Sequence, residues 1–191
     1  KRHQSVATRR EIFLGTNQFP NFTEVAGDKI TLAQGEHDCN CVKSIEPLNF
    51  SRGASEFEAL RLATEKSGKT PVVFMLTIGN LAMRLARSQF SSNFFACAGY
   101  EIFDNLGFET VEAGVKAARE KNADIIVLCS SDDEYATFAP EAFKLTGGKE
   151  LFVVAGAPAC MDDLKAAGIE HFIHVRSNVL ETLQMFNRSL L

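Results

Sequence analysis

Residues 70–87, TPVVFMLTIGNLAMRLAR, decide the fold. Pro71 opens the stretch, a β-branched and aliphatic run over 72–78 follows, Gly79-Asn80 breaks it, and helical spacing begins at Leu81. That pattern is a buried strand turning tightly into a helix, the first half of a βαβ unit. In open α/β sheets ligands bind outside the carboxyl ends of such strands. The residues of this turn therefore carry much of the functional reading.

The alternation continues to the C-terminus. The spacing predicts a helix over 81–88 and a short strand over 94–97 ended by Ala98-Gly99. A polar turn at 104–108 precedes a helix over 110–122 with Val111, Val115 and Ala118 on one face. Residues 124–129, DIIVLC, form the continuous apolar run of a strand buried on both faces. Ser130-Ser131-Asp132-Asp133 ends it before a helix over 134–144, and a further strand over 151–155 runs into Gly156-Ala157-Pro158. A short helix over 161–167, a last strand over 172–175 and an amphipathic helix over 178–190 complete the series. Upstream, residues 55–67 read as a helix with Ser55 and Glu58 at capping-box spacing. Crossovers between parallel strands are right-handed and each must cover a face of the sheet. The expected fold class is thus α/β, a doubly wound, five-stranded parallel sheet in the flavodoxin-like order 2-1-3-4-5.

Residues 1–54 differ. A short apolar stretch (Glu11-Ile12-Phe13-Leu14), a turn at Gly15-Thr16-Asn17 and Phe19-Pro20-Asn21 lead into sequence punctuated by Gly27, Gly35, Pro47 and Gly53. Such punctuation marks loops. An irregular N-terminal extension is expected, wrapping over the domain or mobile. The chain opens at Lys1 with no initiator Met, as expected of a piece of a longer polypeptide.

With 46% hydrophobic and 23% charged residues among 191, the chain has the make-up of a soluble globular protein. A net charge of -4 offers no electrostatic attraction to nucleic acid or an anionic membrane. No apolar run reaches the ~18 residues of a membrane span. The five cysteines (Cys39, Cys41, Cys97, Cys129 and Cys160) are odd in number and scattered, which points to a reducing, cytoplasmic compartment. Cys129, within an apolar strand, reads as a small buried hydrophobe. Cys39-Asn40-Cys41 with His37 is the only hint of a metal cluster. Its CxC spacing lacks a second pair to complete four ligands, so no metal site is expected.

In a 2-1-3-4-5 sheet the switch point is lined by Gly79 and Asn80, by Ser130, Ser131 and Asp132, and by Gly156. A phosphate loop needs several glycines so that backbone N–H groups can approach the anion, and Gly79 stands alone. A phosphoryl-accepting receiver needs a carboxylate where this chain has Thr77-Ile78-Gly79. No histidine adjoins the serines in sequence, so Ser130, Ser131 and Asp132 read as caps of the following helix, and no catalytic residue is expected. His171 and His174, three apart on a strand, point to opposite faces and make a poor metal pair.

From Pro71 onward the order of elements resembles the cobalamin-binding domain of methylmalonyl-CoA mutases. Ala7-Thr8-Arg9-Arg10 and residues 15–21, GTNQFPN, resemble the end of that family's substrate barrel, and Phe57-Glu58-Ala59-Leu60-Arg61 its pre-domain helix. Cofactor-binding members carry Asp-x-His-x-x-Gly after the first strand, the histidine ligating cobalt and the Asp orienting it. Here residues 78–84 read IGNLAMR, with neither Asp nor His. The chain thus resembles the C-terminal part of the small subunit of heterodimeric members, whose cofactor domain is degenerate. The resemblance implies a structural partner for a large subunit that holds adenosylcobalamin and isomerises methylmalonyl-CoA and succinyl-CoA. It implies residues 1–54 as barrel end and linker, residues 55–191 as the cobalamin-binding-like domain with its βα core at 71–191, and no cofactor on this chain. Gly79, Asn80, Ser130, Ser131, Asp132 and Gly156 become a vestigial rim, with Leu81, Met83, Phe94 and Phe95 bulky enough to fill the pocket. Two alternatives stand beside it: a corrinoid held without a histidine ligand, or an independent flavodoxin-like nucleotide or flavin protein.

Overall fold

The computed structural model describes residues 2–27 and 52–191. Strands β1 (Val72–Thr77), β2 (Glu101–Phe103), β3 (Ile125–Cys129), β4 (Leu151–Ala155) and β5 (His171–Ile173) form one sheet. Every pairing is parallel and the order is β2-β1-β3-β4-β5, as the alternation predicts. The helices are α1 (Arg2–Ala7), α2 (Ser55–Ser67), α3 (Leu81–Ala96), α4 (Val111–Glu120), α5 (Tyr135–Thr146), α6 (Met161–Ala166) and α7 (Val179–Leu190).

Side chains alternate across the central strands, so each strand feeds two cores. Val73, Met75, Val127, Cys129, Val153 and Ala155 pack with Phe57, Phe95, Leu183 and Phe186, beneath α2, α3 and α7. Phe74, Leu76, Ile126, Leu128, Phe152 and Val154 face the other way, onto Val115, Tyr135, Ala139 and Leu164 of α4, α5 and α6. Burial on both faces explains why β1 and β3 lack polar alternation.

The strand expected over 94–97 is not there. Helix α3 runs on to Ala96, and the second strand is Glu101–Phe103, pairing with Val72–Phe74. Three serines are accommodated within the helix. Ser91 Oγ donates back to the carbonyl of Arg87 at 2.7 Å, while Ser88 Oγ donates to Asp104 in the loop after β2. Small buried side chains at Ser88, Ser91 and Ser92 also let α3 lie close to the sheet. The expected capping box at α2 is also absent. Ala54 holds the cap position, Ser55 Oγ accepts from the Arg52 N–H, and Glu58 pairs with the Arg52 side chain.

The N-terminal extension holds α1, and its described residues 8–27 are irregular. Val6 and Ala7 are buried in the α2/α3/α7 core. Asn17, fully buried, fixes the turn: its Oδ1 accepts from Phe13 N at 2.8 Å, and its Nδ2 donates to the carbonyls of Val6 and Glu11 at 2.9 and 3.0 Å. Arg9 reaches the Asn93 carbonyl on α3 at 3.1 Å, and Asn93 Oδ1 accepts from Phe19 N at 2.8 Å. Arg61 of α2 donates to the carbonyls of Asn21 and Glu24 at 2.8 and 2.7 Å. The segment is therefore stitched onto two helices. Cys39, Cys41, His37, Gly35 and Pro47 lie outside the described residues.

Candidate functional site

The carboxyl ends of β1 and β3 meet where the topology reverses. Beyond β1, Ile78 bridges to Phe108, and Gly79 adopts φ +76°, a left-handed conformation that glycine takes without steric penalty. Asn80 then caps α3, its Oδ1 accepting from Met83 N at 3.1 Å. Facing this turn, β3 ends at Cys129 and a turn over 131–134 leads into α5.

A single carboxylate spans the gap. Glu134 accepts from the Asn80 backbone N–H at 3.1 and 3.2 Å, from the Ser130 and Ser131 hydroxyls at 2.6 Å each, and from Ser131 N at 3.2 Å. The Ser130 hydroxyl foremost, then that of Ser131, hold its pKa down to about 2. A Cβ on Gly79 would overlap this carboxylate, so the glycine is needed both for φ and for space. The reading of Ser130, Ser131 and Asp132 as helix caps is corrected here. Neither serine nor the aspartate caps α5; Glu134 stands at the cap position with no side-chain cap bond, and the serine hydroxyls donate to it instead.

Around that core lie other side chains of the same chain. Arg87 of α3 pairs with Asp132 at 3.0 Å across the mouth. A Cβ on Gly156 would sit 3.0 Å from Asp132 Oδ1 and 3.1 Å from the Tyr135 ring. Arg84 donates to the Gly79 carbonyl at 3.2 Å and lies over Gly107. Because β2 stops at Phe103, the Asn105 side chain takes over its pairing, donating to the Met75 carbonyl and accepting from the Thr77 hydroxyl. Tyr135, fully buried, donates its hydroxyl to the Ala155 carbonyl at 2.6 Å and accepts from Ser130 N at 3.1 Å, joining the ends of β3 and β4.

All six residues singled out from the sequence therefore meet at one crevice, and side chains not singled out there occupy it: Glu134, Arg84, Arg87, Asn105 and Tyr135. A Ser131-x-x-Glu134 spacing was the available signal, since a Glu three residues after a serine reaches back to that serine's N–H. Of the bulky apolar residues expected to fill the pocket, Leu81, Phe94 and Phe95 do not. Phe94 and Phe95 lie in the core at the opposite end of α3, and Leu81 is 59% exposed. Charge and hydrogen bonding close the crevice.

These residues do not fit a corrinoid held through an imidazole. The β1 turn has none, and its N–H donors already face an ionised carboxylate. His174 follows β5 at the sheet edge, three strands from β1, with its Nδ1 accepting from Arg176 N at 3.2 Å. Burial, then Arg176 and Arg87, lower its pKa. His171 lies edge-on to Phe186. Among the described residues no group of three or more His, Cys, Asp or Glu is placed to hold a metal. No helix among them is long and apolar enough to cross a membrane. A groove of ≈ 840 Å³ opens elsewhere, between the N-terminal segment and α3, lined by Arg9, Phe19, Phe22, Phe90 and Asn93.

The Glu134 geometry has a pH consequence. Its folded pKa, near 2, lies below the ordinary 4.5. The carboxylate thus contributes stability above pH 4.5 that is lost as pH falls from there through about 2. Urea midpoints measured down this range are expected to fall more steeply for the native chain than for Glu134→Gln. Equal acid slopes would contradict this.

No family model matches the chain. It is 82% identical over 187 residues, 98% of its length, to the methylmalonyl-CoA mutase small subunit of Porphyromonas gingivalis. It is 29% identical over 89% of its length to the protein of that name from Streptomyces virginiae, and 27% identical over 96% to a probable one from Mycobacterium tuberculosis. The chain spans 30%, 28% and 28% of the length of these relatives. Among solved structures, a novel cobalamin-binding protein from Desulfitobacterium hafniense aligns over 71% of this chain and 68% of its own, at 22% identity and a TM-score of 0.46. The chain is homologous to a segment of methylmalonyl-CoA mutase small subunits.

Proposed function

We propose that the chain is the C-terminal, non-catalytic module of the small subunit of an adenosylcobalamin-dependent methylmalonyl-CoA mutase, the structural partner of a catalytic large subunit in a cytoplasmic heterodimer. In this reading residues 1–54 end the substrate-barrel region and link it to residues 55–191. Helix 55–67 and the βα core at 71–191 form a cobalamin-binding-like domain that holds no cofactor. Adenosylcobalamin belongs to the partner, where methylmalonyl-CoA and succinyl-CoA are interconverted. The chain's own role is to present a rigid surface.

The observation that carries the reading is the self-filled crevice. Gly79 and Asn80 turn toward Glu134, with no imidazole to offer a metal, and Gly156 lies under Asp132 and Tyr135. The high identity to a small subunit supports it. Leu81 (59%), Leu106 (87%) and Val175 (80%), exposed beyond the carboxyl ends of β1, β2 and β5, are available to such a partner.

The test is a spectral titration of the purified chain with adenosylcobalamin and with hydroxocobalamin, a histidine-bearing large-subunit domain serving as positive control. No spectral change and no co-elution at micromolar protein are expected. Saturable binding by this chain would overturn the proposal.

A further inference from the structure

The absence of a histidine explains why a metal would lack a ligand on β1, but it leaves the rest of a switch-point crevice available. In doubly wound sheets that crevice receives anionic groups, because backbone N–H groups at the strand-to-helix turn point into it and the helix dipole favours negative charge. Here the same donors are engaged from within. The Asn80 N–H, the Ser131 N–H and the hydroxyls of Ser130 and Ser131 all converge on one carboxylate, which reaches across from the start of α5 to the start of α3.

We infer that Glu134 is an internal anion that closes the crevice: it takes the place a ligand's phosphate or carboxylate would occupy and bars anions from the turn between β1 and α3. Two further contacts hold it shut. Gly79 has no Cβ and so leaves room for the carboxylate, and the Arg87–Asp132 pair spans the mouth beside it. The Arg84 guanidinium, a cation that could otherwise meet an incoming anion, is turned to the Gly79 carbonyl. Closure is thus an electrostatic and geometric property of Glu134, separate from the loss of a metal ligand. The inference rests on the reading of this domain as cofactor-free and names the residue that keeps it so.

The test uses Glu134→Ala, which removes charge and volume, and Glu134→Gln, which removes charge and keeps the volume. The probe is inorganic phosphate, compared with chloride at equal ionic strength, and the readout is the thermal midpoint. Phosphate is expected to leave the native chain unmoved, to raise the midpoint of Glu134→Ala by about 2–4 °C at tens of millimolar, and to raise that of Glu134→Gln by less. The shift should saturate with concentration. A saturable phosphate shift in the native chain, or none in either folded variant, overturns the inference. So does a Glu134→Gln chain that fails to fold, since the carboxylate would then belong to the fold and not to closure. Hydroxocobalamin titration of the native chain runs alongside. If the native chain stays colourless while neither variant gains phosphate binding, only the Glu134 inference falls; if it binds the corrinoid, the cofactor-free reading falls first.

Discussion

Tyr135→Ala is expected to lose about 3–5 kcal/mol of stability, the range for emptying a large buried aromatic site, and Tyr135→Phe about 1–3 kcal/mol, the range for leaving buried hydrogen-bond partners unmet. The ring is fully buried beside Ala139 and Ala142 and lies against Gly156. Its hydroxyl joins Ser130 N to the Ala155 carbonyl, where β3 and β4 no longer pair with each other. Burial also drives the phenol pKa upward, so it stays protonated and able to donate. The Phe variant separates the two contributions: it keeps the packing and loses the bridge. Urea unfolding at pH 7 measures both. A Tyr135→Phe midpoint equal to that of the native chain would mean that the bridge between the strand ends has no net worth.

On the opposite face, Phe95→Ala is expected to be at least as damaging, again by about 3–5 kcal/mol. Phe95 is fully buried near the C-terminal end of α3. Its ring centroid lies 5.5 Å from that of Phe94, 5.5 Å from Phe186 of α7 and 6.2 Å from Tyr100. Aromatic contacts of this spacing add to the burial itself. The hole would open beside a buried polar link, where Tyr100 donates to Asn187 Oδ1 at 2.6 Å and Asn187 Nδ2 donates to the Leu60 carbonyl at 3.4 Å. Loosening α3 there should reach α2 and α7 together. For a chain of this size the thermal midpoint should fall by roughly 10 °C. Phe90→Ala, on the same helix but only partly buried in the groove wall, should lose much less. Equal losses from the two variants would show that the 95 site is not the packing centre described.

Both predictions concern residues whose importance is unevenly legible in the sequence. Strands β1, β3 and β4 stand out because each is buried on both faces, which requires an unbroken apolar run. The edge strand β2 is three residues long and partly exposed, so it leaves almost no periodic trace, and the strand expected over 94–97 falls instead on the end of α3. Ser88, Ser91 and Ser92 all lie within α3 and are buried. Only the tertiary contacts, the Asp104 carboxylate accepting from Ser88 among them, decide that these serines are accommodated and the helix continues to Ala96. At the crevice, Gly79, Asn80, Ser130, Ser131, Asp132 and Gly156 follow from topology alone, since each stands at the carboxyl end of a strand.

The sequence by itself determined the doubly wound order, because hydrophobic runs, turn residues and the handedness of crossovers are local or nearly local constraints. It also determined that the first turn holds neither Asp nor His. Only the tertiary structure decided what fills that turn. Glu134 is 55 residues from Gly79, and its carboxylate meets the Asn80 N–H only because β1 and β3 are neighbours in the sheet. A side chain that acts across strands has no spacing to reveal it; its role exists once the fold has brought the two ends together.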